Sequence, residues 1–220
     1  MSPRKLFENE LEELKQEVMT MAEWVENGYD RLFAALETKD EDTMRKFVRH
    51  DRNIEDMQRK IESRCLNLFT RQQPVARDLR TVSAAMKIAT DMERIGNHLS
   101  DMAELFLRMG MPELSSYSSA LPNMIRETRN QIRNAADAFV NRSRELAEMV
   151  VESDDVIDDY FNQIKGELAD HLRAGTQDTD GCVDALMTAK YLEKIGDHAV
   201  NIGQWEIFQE TGEIDEVRLL

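Results

Sequence analysis

The sequence is poor in the residues that break helices and in those that cross-link small folds. Its 220 residues include only 4 Pro, 9 Gly and 2 Cys, and aromatic residues make up 6%. So few turn-forming residues argue against a fold of many short strands, and we expect helices with no β-sheet. Cys65 and Cys182 lie in apolar helical stretches, which predicts buried free thiols in a reducing compartment rather than a disulfide framework.

Long apolar runs and an excess of positive charge are also missing. No stretch approaches the ~18 apolar residues that a membrane span needs, and no apolar signal core follows Arg4-Lys5, so we expect a cytoplasmic protein. A net charge of −15 disfavours nucleic acid and direct adsorption to an anionic membrane. The sequence also lacks a glycine-rich phosphate loop and a Gly-x-Ser-x-Gly elbow, and we therefore expect no enzymatic activity.

What the chain does contain is an internal repeat. Residues 92–98 read Met-Glu-Arg-Ile-Gly-Asn-His, and residues 192–198 read Leu-Glu-Lys-Ile-Gly-Asp-His. Upstream of each block, a segment of the form Asp-x-x-Ile-(Glu/Asp)-Asp occurs at 51–56 and at 154–159. Matching blocks in the same order in both halves indicate that one unit has been duplicated.

Each unit carries the signals of three helices. Caps and breakers predict helices at about 4–36, 40–69 and 76–109, then at about 121–139, 143–173 and 178–211. The helix at 76–109 has two adjacent apolar seams, so it should contact two neighbours. The predicted fold is all-α, with two tandem three-helix bundles at 1–110 and 121–220.

Acidic and amide side chains recur on the third helix of each unit, on the face away from both seams. Their spacing of about one turn lets their oxygens converge. The members are Glu93, Asn97, Asp101 and Glu104 in the first unit, and Glu193, Asp197 and Asn201 in the second. Gly96 and Gly196 lie beside them and would let another group approach the backbone.

A second set of carboxylates interrupts the apolar seam of the preceding helix. Asp51 and Asp154 occupy seam positions, and Glu55 and Asp158 follow one turn later. A carboxylate at such a position is costly unless it is paired or bound to a cation. Clustered carboxylate and amide oxygens suit Mg, Mn, Ca or Fe, which predicts a metal site in each unit.

Salt bridges offer an alternative to metal, because Arg94 or Lys194 could neutralise these aspartates. His98 and His198 also suggest a di-iron site, but such bundles use Glu-x-x-His with both side chains facing inward. Glu93 and His98 are five residues apart, which separates them by roughly 140° around the helix. We therefore predict that both histidines pack or form hydrogen bonds between helices.

These motifs resemble those of the PhoU family. Residues 93–98 and 193–202 are similar to the family's Glu/Asp-x-x-x-Asp signatures, and residues 71–80 to the loop between its second and third helices. The resemblance implies a cytoplasmic negative regulator of phosphate uptake and starvation signalling. Its partners would be the ATPase of the phosphate ABC transporter and the phosphate sensor histidine kinase, with membrane contact only through partner proteins and a homodimer as the expected assembly.

The resemblance also implies the metal ligands, with Fe, Mn, Mg, Zn or Ca as candidate ions and no organic cofactor. Carried over, the ligands are Asp51, Glu55, Glu93, Asn97 and Asp101, then Asp154, Asp158, Glu193, Asp197 and Asn201. Asn97 stands where the family has Asp, so the first site should be weaker or empty. A carboxylate-bridged di-iron enzyme and a structural helical adaptor remain open as alternatives.

Overall fold

The computed structural model describes residues 3–48, 52–214 and 217–218, and these are almost entirely helical. A short 3₁₀ turn, Leu114–Ser116, lies between the halves. The helices are α1 (Pro3–Thr38), α2 (Glu41–Val48), α3 (Arg52–Gln72), α4 (Ala76–Arg108), α5 (Leu121–Asn141), α6 (Arg144–Glu152), α7 (Asp154–Arg173) and α8 (Thr179–Thr211). The all-α prediction is confirmed.

The middle helix of the second half differs from the prediction, because it is two helices that meet at Ser153. The Gln131 amide donates hydrogen bonds to the Ser153 carbonyl at 3.1 Å and to its hydroxyl oxygen at 2.9 Å. The hydroxyl in turn donates to the Val150 carbonyl at 2.8 Å. A side chain that bonds the backbone at this point competes with a continuous helix. In the first half, α2 and α3 lie on either side of residues 49–51, which are outside the described residues.

The predicted caps and breakers are confirmed. Asp40 accepts a hydrogen bond from the Thr43 amide at 3.0 Å, and Ser143 accepts one from the Leu146 amide at 3.3 Å. Each satisfies an amide that the first turn of a helix leaves without a partner. The helix before Pro74 ends at Gln72, since proline disfavours helix in the preceding residue.

The expectation of no β-sheet is wrong at the end of the chain. Gly212 adopts a left-handed conformation with φ of 81° and ends α8. Two strands follow, β1 (Glu213–Ile214) and β2 (Val217–Arg218), and they pair antiparallel with Ile214 opposite Val217. This strand pair follows the last helix, so it leaves the helical bundles unchanged.

The two central helices, α4 and α8, carry most of the core. Helices α1, α2 and α3 pack on α4, and α5, α6 and α7 pack on α8. The apolar side chains of both seams predicted for α4 are buried along the helix, including Val82, Ile88, Ile95 and Phe106 at 1% exposure or less, and only Met109 beyond its end is half-buried. Cys65 and Cys182 are also confirmed as buried free thiols.

The two halves meet along the length of α4 and α8, which run antiparallel. The Arg80 guanidinium donates to the Gln209 carbonyl at 3.1 Å near one end. At the other end, the Arg108 guanidinium forms a two-point ion pair with the buried Asp184 carboxylate. Polar contacts at both ends therefore hold the helices in a fixed register.

Tyr29 makes a further connection between the halves. It is 1% exposed, and its hydroxyl donates to the Ile125 carbonyl at 2.7 Å. Tyr29→Phe should lower the free energy of unfolding by about 1 kcal/mol, because it removes a buried hydrogen bond between the halves. Urea denaturation measures the change, with Tyr160→Phe as a control on a half-buried ring that should cost less than about 0.5 kcal/mol. Equal stability of the two variants would contradict the prediction.

Candidate functional site

The two signature histidines lie at the centre of the junction between the halves. Their rings stack with centroids 5.7 Å apart, and His98 also lies 5.4 Å from the Tyr191 ring. His198 Nδ1 is 2.9 Å from the Asp91 carboxylate on the opposite helix. Burial, followed by the nearby His198, lowers the pKa of His98. The prediction that both histidines pack or form hydrogen bonds between helices is confirmed, since His98 packs against two rings and His198 bonds Asp91.

The last member of each predicted ligand stripe lies at this same junction. The Asp101 carboxylate is 3.6 Å from His98 Nδ1, and the Asn201 amide donates to Asp91 at 3.2 Å. The structure therefore gives Asn201 a partner in the other half, whereas the neighbour of Asp101 is on its own helix, one turn away.

In the first half, three predicted ligands line one cavity of about 240 Å³, namely Glu55, Glu93 and Asn97. The Asn97 amide donates to Glu93 at 2.7 Å, and Glu55 forms an ion pair with Arg59. The fourth, Asp51, is outside the described residues. The cavity thus brings together oxygen donors from α3 and α4.

In the second half, three of the predicted carboxylates lie close enough to Asp154 to affect its ionisation. Burial raises the pKa of Asp154, and the negative charges of Asp158, Asp197 and Glu193 raise it further. Negative charge that opposes the ionisation of a buried carboxylate is offset by a cation beside it. The second half therefore gathers four of its five predicted ligands.

Lysines supply positive charge at the second cluster. Lys190 Nζ is 2.5 Å from the Glu193 carboxylate, and Lys194 Nζ is 3.6 Å from it. Lys194 also pairs with Asp197. Lys194 thus forms salt bridges on its own helix and not with the seam aspartates Asp154 and Asp158, as the sequence alternative had it, and a metal ion would have to displace its ammonium group. Arg94 likewise lies 3.7 Å from Glu93 on its own helix. Within residues 3–48, 52–214 and 217–218, no three His, Cys, Asp or Glu side chains are arranged to hold one ion.

The glycines beside the stripes serve helix packing. A Cβ on Gly96 would lie 3.0 Å from Ile54, and one on Gly196 would lie 3.0 Å from Gln131 and 3.4 Å from Ile157. The groups that approach the backbone are therefore side chains from α3, α5 and α7. The first member of each stripe is shielded from solvent, since the Glu93 and Glu193 side chains are 21% and 13% exposed, whereas those of Asp101 and Asp197 are 47% and 38% exposed.

Two features of the site were missed by sequence reasoning. Asp91 is the acceptor for both His198 and Asn201, and nothing in its local sequence marks it. The cavity around Glu93 also depends on Gly28. A position-by-position comparison of the repeats would have singled out Gly28, because the matching residue in the second half is the much larger Gln131.

The fold and the paired clusters define a duplicated helical-bundle protein with an oxygen-rich face in each half. No described helix is both long and apolar enough to cross a membrane. The PhoU domain family matches residues 18–106 and 121–205. The chain belongs to the PhoU family.

Known PhoU proteins are similar to this chain over nearly its whole length. The "Phosphate-specific transport system accessory protein PhoU homolog" of Clostridium acetobutylicum is 33% identical over 210 residues, covering 95% of this chain and 96% of that protein. Homolog 1 of Thermotoga maritima is 30% identical, covering 94% and 89%. The crystal structure of PhoU from Pseudomonas aeruginosa superposes with a TM-score of 0.88 at 26% identity, covering 94% of this chain and all of that one.

Proposed function

We propose that this protein is a negative regulator of phosphate uptake and phosphate-starvation signalling. The observation that carries the proposal is the match of both repeats and nearly the full length to phosphate-transport accessory proteins. Its working partners are the ATPase of a phosphate ABC transporter and a phosphate sensor histidine kinase, in the cytoplasm. It acts by binding these proteins rather than by catalysis.

We also propose that residues 1–110 and 121–220 are the two repeat domains and that each offers a cation site. The oxygen donors present suit hard divalent ions and iron. A bound ion would neutralise the Asp154, Asp158, Glu193 and Asp197 carboxylates and release Lys194. At the first site, the neutral Asn97 and its hydrogen bond to Glu93 weaken the attraction for a cation.

Deleting the gene tests the regulatory proposal. In phosphate-replete medium, the deletion strain should keep phosphate uptake and starvation genes active, because the brake is missing. Reporter expression and radiolabelled phosphate uptake measure this, with a strain carrying the restored gene as the control. Normal repression in the deletion strain would contradict the proposal.

Two further measurements separate the alternatives. A di-iron enzyme would consume oxygen when loaded with iron, whereas a regulator would not. An adaptor without a role in phosphate supply would capture neither the transporter nor the kinase in a pull-down from phosphate-replete cells.

The proposed homodimer should have twice the 25.5 kDa mass of the chain in light scattering.

A further inference from the structure

The cavity in the first half lies among α1, α2, α3 and α4. Its volume is about 240 Å³. Its apolar walls include Trp24, Phe47 and Leu99, and its polar groups include Asn27, Glu93 and Asn97. Pockets for drug-sized ligands are typically 300–1,000 Å³, so a pocket of this size fits a smaller molecule.

The same place in the second half is filled. Asp51 and Asp154 are 103 residues apart in the repeat, and the same offset matches Gly28 with Gln131. The Gln131 side chain is 4% exposed, and its oxygen lies against Gly196 while its amide bonds Ser153. Gly28 has no side chain to occupy the equivalent space, which leaves the first cavity open.

The matched positions also differ in charge. At two matched positions, a carboxylate of the second half is replaced in the first half by a neutral residue, with Trp24 in place of Glu127 and Asn97 in place of Asp197. At a third position, the neutral Asn134 is replaced by the cation Arg31. Each exchange makes the first cavity one charge less negative, so this cavity attracts a metal ion less strongly than the second cluster does.

The remaining groups suit a flat ring. Trp24 is 38% exposed at the cavity, and the Arg31 guanidinium lies 5.7 Å from the Phe47 ring centre. Aromatic side chains stack on planar heterocycles of any base identity. The Glu93 carboxylate can accept hydrogen bonds from ring N–H and amino groups, as acidic side chains do from cytosine. Amide side chains such as Asn27 and Asn97 both donate and accept.

We propose that the first-half cavity binds a nucleobase or nucleoside, with the ring stacked on Trp24 and its N–H groups bonded to Glu93. The Glu93 and Glu55 carboxylates disfavour a phosphate group inside the cavity. A neutral base or nucleoside therefore fits better than a nucleotide. The proposal does not rest on the role in phosphate signalling.

Tryptophan fluorescence tests the proposal directly. The chain has two tryptophans, and Trp205→Phe leaves Trp24 as the only reporter. We expect adenosine, guanosine, cytidine or uridine to quench Trp24 in a saturable titration, and inorganic phosphate to have no effect. In the same background, Gly28→Gln should weaken the affinity at least about tenfold, because it inserts the side chain that fills the second half. A Cβ at Gly28 would lie 3.3 Å from the end of the flexible Leu99 side chain, which can shift to admit it.

Calorimetry gives a second test that does not depend on how Gly28→Gln folds. Trp24→Glu introduces the residue found at the matching position and should weaken nucleoside binding roughly five- to 150-fold, the range expected for loss of base stacking. Glu127→Gln, its counterpart in the second half, should leave the affinity unchanged. The proposal is overturned if no nucleoside binds, if Trp24→Glu binds as tightly as the natural protein, or if only phosphate binds.

Discussion

Asp197→Asn should weaken Mn²⁺ binding to the second cluster by about tenfold or more, a loss of at least about 1.4 kcal/mol. Asp197 supplies an anionic oxygen close to Asp154, and each such oxygen both ligates and neutralises a hard cation. The converse change, Asn97→Asp, should tighten the first site. It adds a charge and removes the amide that donates to Glu93. Calorimetric titration of both variants with Mn²⁺ measures the two effects.

Lys194 provides the control for this experiment. Its ammonium group pairs with Asp197 and lies near Glu193, so it competes with a metal ion for the same oxygens. Lys194→Met should tighten Mn²⁺ binding at the second cluster, whereas Lys165→Met on α7 should not change it. Equal affinities in the natural protein and all four variants would mean that the carboxylates form salt bridges only.

Glu206→Gln should stabilise the protein by about 2–3 kcal/mol at pH 8 and have little effect near pH 4. Glu206 is 6% exposed, and burial raises its pKa from the usual 4.5 to about 7, although Arg142 and Lys15 oppose the rise. At pH 8 the folded chain must hold a buried carboxylate, whereas the unfolded chain exposes it to water. Glutamine keeps the size of the side chain without the charge.

The pH dependence follows from the direction of this shift. Because the pKa of Glu206 is higher in the folded chain, folding favours the protonated carboxyl group. Below pH 4.5, Glu206 therefore does not lower the free energy of unfolding of the natural protein. The penalty grows as the pH rises from 4.5 towards 7 and is complete above that range. Urea denaturation at several pH values measures it. Glu210→Gln on the same helix, an exposed site, is the control and should change stability by less than about 0.5 kcal/mol. A constant difference between Glu206→Gln and the natural protein at all pH values would contradict this account.

Local sequence signals predicted most of the fold. The Asp40 and Ser143 caps, the break before Pro74 and the seams of α4 all follow from hydrogen bonding and helical period, which depend on neighbouring residues. The break at Ser153 could not be predicted in this way. It depends on Gln131, a residue 22 positions away. The strands after Gly212 were missed because pairs of two-residue strands carry almost no periodic signal.

The candidate site was predicted only in part, for a similar reason. Helical spacing places Glu93 and Asn97 on one face of α4, and the structure finds both in one cavity. Helical spacing does not show which helix lies opposite, so the pairing of His198 and Asn201 with Asp91 could not be foreseen. Comparing the repeats shows that Gly28 stands where the second half has Gln131. That this difference opens a cavity is evident only from the structure, which shows the space that the Gln131 side chain fills.

The junction of α4 and α8 has the geometry of an isologous interface built within a single chain. Asp91 faces His198, and Tyr191, at the position matching Asp91, faces His98. In a symmetric dimer of identical subunits, every substitution appears on both sides of the two-fold axis. Here the two halves are encoded by separate parts of one gene, so the second half can have a tyrosine at position 191 while the first half has an aspartate at the matching position 91. Covalent linkage therefore frees each half to change its own surface without imposing that change on the other.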